Sequence, residues 1–265
     1  MTVPKSHPRY ESLKTRDLIV DGVKKGITSI HGLVAHGRGE AFDYLIGEKT
    51  TNAAKKSIEA AAALLLLARN PVISVNGNTA ALVPKEIANL AKESNAKIEV
   101  NIFHASKERE LKIKNYLIKN GAKEVLLPQK QFKIKYLESN RKYVNKDGIY
   151  KADVVFVPLE DGDRTEALIN NSKKIIVVDL NPSSRSAKNA NITIVDNITR
   201  AVPLLAKKIC QYKRLKTQEN QRFSAPRNLK KISWENKLKK IIKNYDNKQI
   251  LKGALKEIKN LQNMP

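Results

Sequence analysis

The apolar positions of this 265-residue chain change their spacing near residue 70. Before it they recur at helical intervals. Leu18, Ile19 and Val23 share one face of a helix predicted over Glu11–Lys25, which Leu13 fits less well. Short helices are predicted over Ser29–Ala35 and Glu40–Ile46. A long alanine-rich helix is expected over Thr51–Arg69, capped by Thr51 and stopped at Asn70-Pro71, where proline forbids continuation.

From Val72 onward, short apolar runs alternate with helical stretches. Strands are predicted at Val72–Val75, Lys97–Phe103, Val125–Leu127, Asp153–Leu159, Lys174–Leu180 and Asn191–Val195. Helices are predicted at Thr79–Ser94, Ser106–Asn120 and Asn197–Tyr212. The runs DVVFVPL and KIIVVDL are nearly continuous in apolar residues, as strands covered on both faces must be. The alternation predicts an α/β fold with a doubly wound sheet of about six parallel strands flanked by helices. An N-terminal helical segment (1–70), an α/β core (71–212) and a basic linker with a helical tail (213–265) are expected. The polar stretch Pro128–Lys151, with its turn signal Asn145-Lys146-Asp147-Gly148, is read as an excursion between strands. Lys213–Ser233 is read as a linker, with Ser233 capping a terminal hairpin of helices over Trp234–Asn244 and Lys248–Leu261.

Composition narrows the function class. The longest apolar stretch, AAALLLLA at Ala61–Ala68, falls far short of the roughly 20 residues that span a bilayer. The first residues lack the apolar core of a secretory signal. Cys210 is the one cysteine, which rules out an internal disulfide or a multi-cysteine metal site. These features point to the cytoplasm. The formal charge is +24, but Ala201 to the C-terminus alone holds 17 Lys/Arg against four Asp/Glu, about half the excess. Aromatic residues are 5% and no nucleic-acid-binding signature interleaves them with the lysines. Nucleic-acid binding through the basic tail is therefore an alternative, not the leading reading.

Candidate chemistry concentrates in HGLVAHGRGEAFDYLIGEKT (His31–Thr50) and in loops that end strands. In the first, Gly37 and Gly39 flank Arg38, whose guanidinium suits a carboxylate or phosphate; a helix end, turn and second helix is the plainer reading. In open α/β sheets, ligands bind beyond the carboxyl ends of the strands. SVNGNTA offers Asn76 and Asn78 as substrate contacts beside a turn at Gly77. PLEDGDRTEAL offers Glu160 and Asp161 as oxygen ligands for Mg²⁺, while Asp163 and Glu166 have capping-box spacing. In VDLNPSSRSAKNA, Asp179 can accept from ribose hydroxyls, Asn181 can contact base or sugar, and Ser184, Arg185 and Ser186 resemble a phosphate clamp. VDNITRA places Asp196 and Asn197 at the last strand end, where they either cap the next helix or face a ligand. Neither a P-loop nor a GxGxxG turn is present, and the four histidines lack metal-ligand spacing.

These motifs closely resemble the archaeal phosphopantothenate synthetase (4-phosphopantoate–β-alanine ligase) family. The resemblance is carried by PKSHPRYESL, GLVAHGRGEAFDYLIGE, NPVISVNGNTAALVP, ADVVFVPLEDGDRTEAL and VVDLNPSSRSAKNANITIVDNITRA, from about residue 4 to 212. It implies a homodimer with a Rossmann-like sheet that joins 4-phosphopantoate to β-alanine at the expense of ATP. It also implies ATP contacts at Arg16, Arg38, Asp179, Leu180, Asn181, Arg185, Ser186, Asn197 and Ile198. In such a reaction Arg38 stabilises phosphate charge, and His36 or Glu40 is a candidate base for the β-alanine amine. A non-catalytic nucleotide binder on the same fold is the rival reading.

Overall fold

A computed structural model describes residues 3–222 and 233–262. Helix α1 (Tyr10–Lys24) leads to α2 (Ile30–Leu45) and α3 (Asn52–Leu67). The α/β portion then runs β1 (Pro71–Val75), α4 (Gly77–Leu82), α5 (Pro84–Ser94), β2 (Lys97–Val100), α6 (Lys107–Lys119) and β3 (Val125–Leu126). An insertion follows with β4 (Gln129–Lys133) and β5 (Tyr143–Val144). The chain continues through β6 (Val154–Pro158), α7 (Gly162–Asn170), β7 (Lys174–Val178), α8 (Arg185–Asn189), β8 (Ile192–Ile194) and α9 (Ile198–Arg222). It closes with α10 (Trp234–Lys243) and α11 (Asn247–Gln262).

Six strands form one parallel sheet in the order β3-β2-β1-β6-β7-β8. The order reverses between β1 and β6, which opens a crevice at the carboxyl edge. Alternation along each strand feeds two cores. Ile73, Val75, Phe156, Ile176 and Val178 point to the side covered by α3, α5 and α9. Val72, Val155, Val157, Ile175 and Val177 point to the side covered by α7 and the insertion. Every residue of β1 and β6 is buried, which explains the uninterrupted apolar runs in the sequence.

Several expectations need correction. His31–Leu45 does not turn at Gly37–Gly39: α2 is one helix capped by Ser29, whose Oγ accepts from the Gly32 amide at 3.3 Å. Each internal glycine costs a helix about 1 kcal/mol, but tertiary contacts hold it. Asn78 donates to the Gly32 carbonyl at 2.8 Å, and a Cβ at Gly32 would overlap the Asn78 amide and the Thr28 hydroxyl. The Thr79–Ser94 helix is two helices, because Pro84 begins α5 after Val83 leaves helical geometry. Helix α3 ends at Leu67, three residues before the Asn70-Pro71 stop. Strand β2 ends at Val100 rather than Phe103. Asp163 and Glu166 form no capping box: Asp161 holds the N-cap position of α7 without a side-chain cap bond. Within the expected linker, Lys213–Arg222 continues α9, and 223–232 lies outside the described residues.

The helices after residue 233 pack on the body of the protein. Both α10 and α11 lie on α3, and Trp234 donates to the Tyr212 carbonyl at 2.7 Å. Leu251 and Ala254 of α11 join Ala187 and Val195, and Ile258 joins Ile46 and Leu180.

Candidate functional site

The loops leaving β6, β7 and β8, together with α2, surround a cavity of about 380 Å³ at the carboxyl edge of the sheet. Of the positions expected to bind or react, His36, Arg38, Glu40, Asn78, Glu160, Asp161, Asp179, Leu180, Asn181, Arg185, Ser186, Asn197 and Ile198 all line it. Arg16 and Asn76 do not. Helices α7, α8 and α9 begin at its wall with Gly162, Arg185 and Ile198. The first amides of a helix have no partner within it, so this wall suits anionic oxygens.

Two of these helix starts are pressed together. A Cβ at Gly162 would land on Arg185 Cβ and come within 3.4 Å of the Ser186 amide. Glycine is required there by close approach. Ser186 donates its hydroxyl to the Glu160 carbonyl at 2.6 Å, and the Ser184 side chain accepts from the Ala187 amide at 2.9 Å. The expected serine clamp is thus fastened to its neighbours, with Arg185 lining the cavity beside it. Arg185 is itself steadied by Glu166 at 2.9 Å.

Helix α2 hangs over the opening by a polar network at its end. Asp43 accepts from the Asn197 amide side chain at 2.7 Å and pairs with Arg200, which also pairs with Asp196 at 2.7 Å. Thr50 donates to Asp196 at 2.7 Å. Asn197 caps α9 through its bond from the Thr199 amide at 3.1 Å. The capping reading of VDNITRA therefore holds for Asn197, which also lines the cavity. Arg38 is exposed, and among the described residues it has no hydrogen-bonded partner. It lines the same cavity as Asp161 and Asp179, whose carboxyls burial pushes up and the Arg38 charge partly offsets.

The aspartate expected to meet a ribose, Asp179, is held in place by the Asn181 amide at 2.9 Å and by the Ser184 hydroxyl. Burial pushes its carboxyl up, opposed by Ser184, Asn181 and Arg38. Beside it Leu180 packs on Ile46, Phe42 and Ile258, giving the cavity an apolar wall.

Arg16 and Glu40 are tied to one another. Arg16 Nε lies 2.9 Å from both Glu40 carboxylate oxygens, and its Nη2 donates to Tyr44 at 3.0 Å. The bond to Glu40 raises Arg16 above the usual arginine value. This geometry makes Glu40 the anchor of a cation, a poor position for a base. His36 lines the cavity with a buried Nε2 that has no partner, and burial pushes its pKa down, so it is neutral near pH 7. Asn76 is an N-cap: its carbonyl accepts from the Thr79 amide at 2.9 Å and its amide donates to Leu159 at 2.8 Å. It braces β1 against β6 and lies outside the cavity lining. The Asn78 side chain is likewise engaged by Gly32 and Thr28.

The largest departure concerns Glu160. Its side chain is 1% exposed and lies between Arg141 and Arg164, which are 5% and 1% exposed. Arg141 Nη2 reaches one carboxylate oxygen at 2.6 Å, and Arg164 closes on the same oxygen. Burial pushes the Glu160 carboxyl up, but the two guanidinium charges outweigh it and hold it below the ordinary value. Glu160 therefore cannot offer its oxygens to magnesium. Among the described residues no group of three or more His, Cys, Asp or Glu side chains is placed to hold an ion. The Glu160–Asp161 pair does not fit a protein-held magnesium.

Both arginines escaped the sequence reading. Arg164 sits four residues after Glu160, a spacing normally found on exposed helix surfaces. Arg141 comes from the polar insertion, where nothing in the local pattern marks it.

A six-stranded Rossmann-like sheet with a polar cavity at its carboxyl edge defines an α/β protein of the doubly wound class, in which ligands sit beyond the strand ends. Comparison with known proteins carries the assignment further. Residues 53–232 match the model of the family described as phosphopantothenate/pantothenate synthetase. The chain is 49% identical over 260 residues to a 4-phosphopantoate–β-alanine ligase of Thermococcus kodakarensis, covering 98% of this chain and 93% of the relative. It is 48% identical to the protein of that name from Methanosarcina mazei, covering 97% and 94%. The Thermococcus onnurineus relative of the same name is 55% identical over 218 residues, covering 80% and 83%. This chain belongs to the phosphopantothenate/pantothenate synthetase family. Among the described residues no helix is long and apolar enough to cross a membrane.

Proposed function

We infer that this protein is an ATP-dependent ligase that condenses 4-phosphopantoate with β-alanine to 4'-phosphopantothenate, releasing AMP and pyrophosphate. The observation that carries the reading is the one cavity lined both by Arg38 from α2 and by the loops of Asp161, Asp179 and Arg185. A carboxylate is a poor electrophile, so its oxygen attacks the α-phosphorus of ATP and expels pyrophosphate. The amine of β-alanine then attacks the acyl carbon and AMP leaves. Arg38 and Arg185 oppose the phosphate charge that builds up in the first step. Arg16 acts from the rim, oriented by Glu40. Leu180 and Ile198 offer apolar surface to the base, and Asp179 and Asn181 hold polar groups toward the sugar. Magnesium, in this account, arrives on the nucleotide phosphates. His36 remains a neutral base within the cavity. Holding reactants together supplies much of the rate.

The chain works as a homodimer in the cytoplasm in this reading. Support for self-association comes from α2, whose outward face repeats Ile30, Val34, Gly37, Ala41 and Tyr44 at alternating intervals of four and three. Ile30 and Val34 are 69% and 70% exposed.

A pyrophosphate-release assay crossing pantoate and 4-phosphopantoate with β-alanine tests the function. Release is expected with 4-phosphopantoate and both co-substrates. Equal release with unphosphorylated pantoate would refute the assignment of substrate.

A further inference from the structure

Four carboxylates line the cavity: Glu40, Glu160, Asp161 and Asp179. Three are spoken for. Glu40 accepts from Arg16 and Tyr44, Glu160 from two buried arginines, and Asp179 from a backbone amide and the Ser184 hydroxyl. Asp161 differs. Its side chain is 60% exposed, and its one charged contact is Arg141 Nη1 at 3.3 Å. It occupies the N-cap position of α7 yet makes no cap bond, so its carboxylate is not committed to the helix.

We propose that Asp161 binds the ammonium group of β-alanine and accepts its proton, making it the acidic residue of the amine subsite. The proposal rests on the ligase reading. An ammonium must be met by an anion, and His36 is neutral in its buried setting, whereas Asp161 presents a charge to the cavity. A metal role needs a second free carboxylate nearby, and Glu160 is locked. Arg38 and Asp161 line the same cavity, so an amine held at Asp161 shares it with the phosphate assigned to Arg38. Burial and the Glu160 charge push the Asp161 carboxyl up, against Arg141 and Arg38, which improves it as a proton acceptor.

In the step itself, the ammonium gives one proton to Asp161 and its nitrogen pair forms the C–N bond. The C–O bond to the adenylate phosphate breaks, AMP leaves with that electron pair, and the nitrogen loses a second proton to solvent.

The test separates the two half-reactions in Asp161→Asn. ATP–pyrophosphate exchange with 4-phosphopantoate alone reports adenylate formation, and amide formation reports β-alanine use. Exchange should stay within about threefold of the parent protein, while kcat/KM for β-alanine falls about 10²-fold or more. Hydroxylamine, an amine that is uncharged near neutral pH, should still be acylated by the variant. Loss of exchange in step with amide formation would assign Asp161 to the nucleotide and overturn the proposal. An unchanged kcat/KM for β-alanine would overturn it too. No 4-phosphopantoate-dependent exchange by the parent protein would instead bring down the ligase reading beneath it.

Discussion

Replacing Glu160 with glutamine removes the negative charge between two buried guanidinium groups while keeping the side chain's shape. Arg141 would then keep Asp161 at 3.3 Å, while Arg164 would have no carboxylate within pairing distance among the described residues, Glu99 acting on it only from farther off. Arg164 keeps Ser74 at 3.0 Å, but its Nε already has no partner. Removing one member of a buried ion pair costs about 3–5 kcal/mol, because the remaining charge stays dehydrated and uncompensated. Against a typical stability of about 5–15 kcal/mol, that is a large share. At roughly 2–4 °C per kcal/mol for a chain of this size, the Tm of Glu160→Gln should fall by about 6–20 °C. Thermal unfolding followed by circular dichroism measures the shift, with Asp161→Asn, an exposed neighbour, expected to move far less. A Tm for Glu160→Gln within about 2 °C of the parent would mean that the three charges are not mutually dependent.

Four further expectations follow from the geometry. Arg38→Ala should lose about 10² in kcat/KM for ATP with an unchanged Tm, since Arg38 faces the cavity and not a protein partner; near-normal steady-state kinetics would remove it from phosphate binding. Gly162→Ala forces apart the starts of α7 and α8, at about 1–3 kcal/mol of overpacking. Calorimetric titration should then show ATP affinity down roughly tenfold. Glu99 is fully buried under the Asn145 and Ile149 amides, and burial pushes it up to about 7. Between the ordinary 4.5 and about 7 the folded chain keeps a proton that the unfolded chain has released. Stability therefore falls as pH rises through that window and levels off above it, by an amount on the order of 3 kcal/mol. Urea melts at about pH 5 and about pH 8 should show this slope weakened in Glu99→Gln; equal slopes would refute it. Val34→Glu, placed on the outward stripe of α2, should shift the sedimenting species toward monomer.

The strands were legible because β6 and β7 are covered on both faces and had to be written in valine and isoleucine. Their positions fixed which loops share an edge, and Asp179, Asn181, Arg185 and Asn197 duly meet in one cavity. Helix α2 was harder to read. Gly37 and Gly39 argue locally for a turn, and what keeps the helix whole is distant: Asn78 on Gly32, Arg200 on Asp43. Glu160 and Asp161 illustrate the same limit more sharply. The two adjacent carboxylates look alike in sequence, but an arginine 19 positions upstream and another four positions downstream bury one of them. The helices α10 and α11, read as a tail from their lysines, carry an apolar face that fits α3 and the Leu180 wall.

The most direct test of the account follows an oxygen atom. With 4-phosphopantoate labelled by heavy oxygen in its carboxylate, one labelled oxygen should appear in the AMP formed with β-alanine, and none in pyrophosphate. Label found in inorganic phosphate alongside ADP would contradict the adenylate, and with it the roles given to Arg38 and Asp161.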